Sequence, residues 1–122
     1  MRLLILFVGI LTACAPSSME DFRNEGERAA RAMTRELRQI QTRDDLQAEL
    51  PALRRKFLQM SDLLLKVRAF RSKHPESIAS PPSFASDELF AELSRIYEVP
   101  GGQELIESAQ LEAIEKLKNG LD

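Results

Sequence analysis

Two side chains in this 122-residue sequence carry groups from which catalytic and metal sites are commonly built, and each occurs once: the thiol of Cys14 and the imidazole of His74. Neither has a companion at ligand spacing. There is no Cys-x-x-Cys-His haem attachment and no His-Glu-x-x-His zinc pair. His74 precedes Pro75 and reads as a solvated helix-end residue, where a cation suits the negative pole of the helix dipole. An imidazole so placed is a poor base for any of the serines. The acidic pairs Asp44/Asp45 and Asp87/Glu88 open helices, so capping accounts for them. Met19, Met33 and Met60 offer sulfur to a haem iron, but methionine on an apolar helix face reads as core. Gly101-Gly102 follows Pro100 and reads as a turn, not as a phosphate-cradling loop. This set yields no catalytic residue, metal ligand, cofactor or small-molecule substrate.

One chemistry does suit Cys14. A lone cysteine cannot close an internal disulfide, and an exposed thiol is a liability in an oxidising compartment. Arg2 is followed by the apolar run Leu3-Leu4-Ile5-Leu6-Phe7-Val8-Gly9-Ile10-Leu11, then by small residues and the cysteine, which is the layout of a secretory signal. The run is shorter than the roughly 20 residues of a transmembrane helix. Leu11-Thr12-Ala13-Cys14 resembles the lipobox of bacterial lipoproteins. The resemblance covers about the first 15 residues. It implies a diacylglycerol on the Cys14 thiol, cleavage before Cys14 and acylation of the new amino group. The thiol is thereby consumed. An uncleaved anchor or an ordinary signal peptide is the alternative for the same segment. Ala15 stands where an Asp would resemble the inner-membrane retention signal, so the resemblance favours the outer membrane of a Gram-negative host.

The elements behind the cysteine are helical. Removing 13 of the 122 residues leaves 109, enough for one domain with a modest core. Loss of Arg2 leaves 16 basic against 19 acidic side chains, a balance unsuited to general nucleic-acid binding. Residues 14–18 form a tether and 19–122 a single helical domain. A first helix is predicted over about 18–41, capped by Ser17 or Ser18. Met19, Phe22, Gly26, Ala30, Met33, Leu37 and Ile40 make one face of it. Its small middle (Gly26, Ala29, Ala30) admits a close partner. A second helix is predicted over about 43–73, with Thr42 and Asp45 as a capping box. Leu46, Leu50, Leu53, Phe57, Met60, Leu64 and Val67 form the cleanest heptad in the chain. Pro51 bends this helix or marks a break within it. The short link makes the pair an antiparallel hairpin, with Phe57 and Leu64 buried near Ala30, Met33 and Leu37. Two shorter helices, about 86–97 and 103–118, cover it, the last stopped by Asn119-Gly120. The fold class expected is an all-α, bundle-like domain.

Charge is uneven along the chain. Residues 53–74 hold seven basic side chains against Asp62, whereas 76–122 hold ten acidic against three basic. Arg54, Arg55, Arg68 and Arg71 are therefore candidate contacts for an anionic partner. The competing reading, and the one expected to account for more of the asymmetry, docks the acidic C-terminal helices beside the basic one. Exposed pairs contribute only ~0–1 kcal/mol each and mainly set orientation. Together these features predict a lipid-anchored, envelope-facing helical module that binds a protein partner or itself, held to the membrane through its N-terminal lipid. A chaperone-like binder of extended proteins, using an apolar groove of the hairpin, is the alternative. The long-helix, Arg- and Met-rich look is similar to that of helical periplasmic chaperones, but their Leu-Thr-x-x-Gln repeats are missing.

Overall fold

The computed structural model describes residues 18–76, 84 and 86–121, the last for its backbone alone. Cys14 and the lipobox-like segment lie outside the described residues. Among those described there are four helices and no strand: α1 (Met19–Arg38), α2 (Arg43–Lys73), α3 (Asp87–Tyr97) and α4 (Gly102–Leu121). The domain is all-α.

Local chemistry sets the helix starts. A helix leaves its first N–H groups unpaired, and short polar side chains satisfy them. Ser18 Oγ accepts from Asp21 N–H at 3.1 Å. Ser86 Oγ accepts from Leu89 N–H at 3.3 Å. Thr42 and Asp45 form the expected reciprocal box, at 3.1 Å for Asp45 N–H to Thr42 Oγ1 and 3.2 Å for Thr42 N–H to Asp45 Oδ2. Helix α2 runs through Pro51 without the break held open from sequence. The carbonyl freed by Pro51 belongs to Gln47, and both residues are exposed, so water can satisfy it.

The expected stop at Asn119-Gly120 is not used: α4 continues to Leu121. Gly120 serves packing instead, because a Cβ there would collide with the Leu65 side chain. The glycine that turns the chain is Gly101, at φ +72°. Gly102 follows it pressed against the Ile96 carbonyl, where no side chain fits.

The helices form a four-sided ring. Helix α1 packs on α2 and α3, α4 packs on the same two, and the diagonal pairs do not touch. The α2–α4 interface is the largest. α1 and α2 make the expected hairpin through a short link. α4 runs parallel to α2. Gly101 meets the Arg43 guanidinium, Ser61 Oγ donates to the Ala113 carbonyl at 3.0 Å, and Gly120 meets Leu65. All four helices feed one core, whose fully buried side chains are Met33, Leu37, Ile40, Leu46, Leu53, Ile96 and Ile106. Gly26 and Ala30 are buried, as close approach on α1 requires.

The register of α2 departs from expectation at one place. Phe57 is half-buried against the core, and Leu64 is half-buried outside it, while Leu63 takes the buried position. Leu63 belongs to a second cluster with Met19, Phe22 and Val67, against which Phe70 and Phe84 pack, so at this level of α2 the covered face is that of Leu63 and not that of Leu64.

Candidate functional site

The bundle has two chemically different ends. At one end the chain enters α1. A satellite core of Met19, Phe22, Leu63 and Val67, with Phe70 and Phe84, fixes the first turn of α1 beside the last turns of α2. Phe22 meets Phe70 edge to face at 5.5 Å between ring centroids. Phe70 in turn stacks on His74 at 4.4 Å. His74 caps α2, is exposed, and lies 3.3 Å from Glu76 Oε1. The Glu76 carboxyl sits below its ordinary range, chiefly through its own backbone N–H and then through His74.

Arg68 and Arg71 belong to this end and are exposed, as are Lys66 and Lys73. Arg54 and Arg55 are exposed too, but lie 14 residues or so earlier on the same helix, about 21 Å along its axis. The structure therefore splits the four candidate arginines into two pairs. Among the described residues none of the four forms an ion pair. Neutralisation of α2 by the acidic C-terminal helices, expected from composition, is not what the geometry gives. The ion pair that joins α2 to α4 has the reverse polarity, Asp62 on α2 to Lys116 on α4. The acidic side of α3 pairs with α1 instead, through Arg38 to Glu88 at 3.3 Å and to Glu92 at 3.6 Å. The reason is the order of helices around the ring, which keeps α3 away from α2.

The opposite end joins the α1–α2 link to the α3–α4 turn. Arg95 reaches across it. Its guanidinium donates to the Ile40 carbonyl at 2.7 Å and the Leu37 carbonyl at 2.8 Å, and pairs with Glu92 at 2.9 Å. The Leu37 carbonyl lies in the last turn of α1 and the Ile40 carbonyl just past its cap Gln39, where orphan acceptors need partners. Sequence reasoning did not single out Arg95. The only hint was a lone base in an otherwise acidic, apolar helix. Nearby, Glu36 on α1 faces Glu49 on α2, and the closeness and charge of the Glu36 carboxylate push the Glu49 carboxyl upward.

Two further surfaces complete the inventory. A shallow groove of about 470 Å³ between α1 and α2 is lined by Glu25, Arg28, Ala29, Gln59, Asp62, Leu63 and Lys66. Large apolar side chains reach solvent on α3 and α4 instead: Phe90 (57% exposed), Tyr97, Leu111 (59% exposed) and Ile114. No group of three or more His, Cys, Asp or Glu that could hold a metal occurs among the described residues. No helix there is long and apolar enough to cross a membrane. Comparison with family models, with curated proteins and with solved structures gives no match.

Proposed function

We propose that this chain is a lipid-anchored helical module of the bacterial envelope, acting by binding a protein partner or a second copy of itself and not by catalysis. The observation that carries this reading is the sole cysteine, placed directly after Leu11-Thr12-Ala13 and an apolar run that begins behind Arg2. Two or more acyl chains give a stable membrane hold where one is only marginal. The core supports the second half of the reading. Its residues are drawn from all four helices, so activity has to be exerted at the surface, where Phe90, Leu111 and Ile114 lie open on α3 and α4. Leu111 and Ile114 stand three residues apart on α4 and so share one exposed helix face, where adjoining apolar side chains can serve as a contact surface. A chaperone of the hairpin type would need an apolar groove between α1 and α2. The groove there is lined mainly by charged and amide groups, so the binding-module reading is the one carried forward.

Fatty-acid labelling tests the anchor. The wild-type chain takes up label and Cys14→Ser does not; equal labelling of the two would refute the reading. Crosslinking in native membranes tests the contact surface. The double substitution Leu111→Glu/Ile114→Glu should remove a crosslinked species while anchoring and helix content stay unchanged. Persistence of every crosslinked species would exclude this surface.

A further inference from the structure

We infer that the end of the bundle where α1 begins faces the membrane, and that Arg68, Arg71 and Lys73 rest there on anionic lipid headgroups; the inference relies on the lipid anchor proposed above. Two independent constraints meet at this end. The first is covalent reach. Ser18, the N-cap of α1, is four residue steps from Cys14, and a fully extended chain spans about 14 Å over that distance. A lipid on Cys14 therefore keeps the first turn of α1 within about one helix diameter of the bilayer surface. The Phe22–Phe70 contact and the satellite core bring the last turns of α2 to the same level.

The second constraint is charge. From Lys66 to Lys73, α2 carries Lys66, Arg68, Arg71 and Lys73 and no acid, and all four are exposed. The acids nearby are occupied differently. Glu20 and Asp21 lie in the first turn of α1, where the helix dipole favours them, and Glu76 is paired with His74. The far end has the other sign, with Asp44, Asp45, Glu88, Glu92 and Glu98 outnumbering Arg38, Arg43 and Arg95. An anionic surface attracts the near end. The far end, a helix length away, lies beyond the screening distance. The bundle stands with α2 upright, and Arg54 and Arg55 are too far along it to touch the same plane. This explains why only one pair of the exposed arginines serves the membrane.

The test uses the full chain, purified from membranes and reconstituted into vesicles of phosphatidylcholine or of phosphatidylcholine and phosphatidylglycerol in equal parts. Ser72→Cys and Ala48→Cys place a dye at two exposed positions of α2, about 36 Å apart along its axis. A lipidated Cys14 has no free thiol, so each variant takes one dye. Nitroxide on the lipid headgroup should quench the dye at position 72 several-fold more than at position 48. The difference should grow with phosphatidylglycerol, shrink with salt, and lose its response to phosphatidylglycerol in Arg68→Glu/Arg71→Glu but not in Arg54→Glu/Arg55→Glu. Equal quenching at both positions, or no response to phosphatidylglycerol and to reversal of Arg68 and Arg71 while the protein still floats with the vesicles, overturns the membrane contact and leaves the anchor standing. An acidic protein as the true partner of these arginines would give that same unresponsive result. Two dyes per chain, or failure to float, overturns the anchor and the inference together.

Discussion

At the scale of single residues, Arg95 ties α3 to the end of α1. One side chain closes the carbonyl end of α1 from a helix more than fifty residues further along the chain. A charge-assisted bond to a backbone acceptor contributes ~1.5–3 kcal/mol, and this guanidinium makes two, while partial exposure reduces their worth. Arg95→Met should lower the unfolding free energy in urea by about 1–3 kcal/mol. Arg95→Lys should recover only part of that, since a point-like ammonium cannot span two carbonyls as a planar fork does. Full recovery by lysine would show that charge alone matters. Glu49 works in the opposite direction. Its raised pKa means that the folded chain holds this proton more tightly than the unfolded chain does. Stability from this group is therefore fully present at acid pH and falls as pH rises from the ordinary carboxylate value through the raised one. Glu49→Gln removes the repulsion from Glu36. Its melting temperature should exceed that of the wild type at neutral pH and converge with it in acid; a gap that widens in acid would contradict the assignment.

At the scale of elements, periodicity carried most of the information. The 3–4 spacing from Met19 to Ile40 and from Leu46 to Val67 placed both long helices, and Thr42 with Asp45 placed the start of α2 to the residue. Thr42→Ala should cost about 1 kcal/mol, read from a thermal melt. What the heptad could not show was how far each neighbour reaches. Leu64 repeats the pattern as faithfully as Leu53, yet Leu53 is fully buried in the central core and Leu64 is only half-buried outside it. The difference arises from which elements cover each level of α2, a tertiary fact with no local signal. Leu37→Ala, at a fully buried site, should therefore cost ~2–5 kcal/mol, while Phe57→Ala should fall below the ~3–5 kcal/mol of an enclosed phenylalanine. A larger loss at Phe57 than at Leu37 would mean that the hairpin interface is tighter than the ring geometry gives. Gly120 is the matching case at a helix end. Asn-Gly reads locally as a stop, but the helix runs on to Leu121, with Gly120 close to the Leu65 side chain.

At the scale of the whole molecule, the sequence carried the charge asymmetry but not its geometry. Composition set basic residues 53–74 against acidic residues 76–122, which suggested docking between them. The ring does dock α4 on α2, but it places α3 on α1 and leaves the arginines of α2 in solvent, so the asymmetry becomes a difference between the ends of the bundle. That arrangement gives meaning to the point where the chain enters. The chain enters α1 at the end that carries Arg68 and Arg71, so under the proposed anchor the surfaces a partner can reach, including Phe90 and Leu111, follow from which end is held. The account thus turns on the chemical state of Cys14. Intact-mass measurement of the protein extracted from its own membranes reads that state directly. The account predicts a chain that begins at Cys14 and carries the added mass of a diacylglyceryl group and an amide-linked acyl chain, all of it retained on the N-terminal peptide after digestion. A chain that still begins at Met1, or a Cys14 peptide with a free thiol, would contradict it.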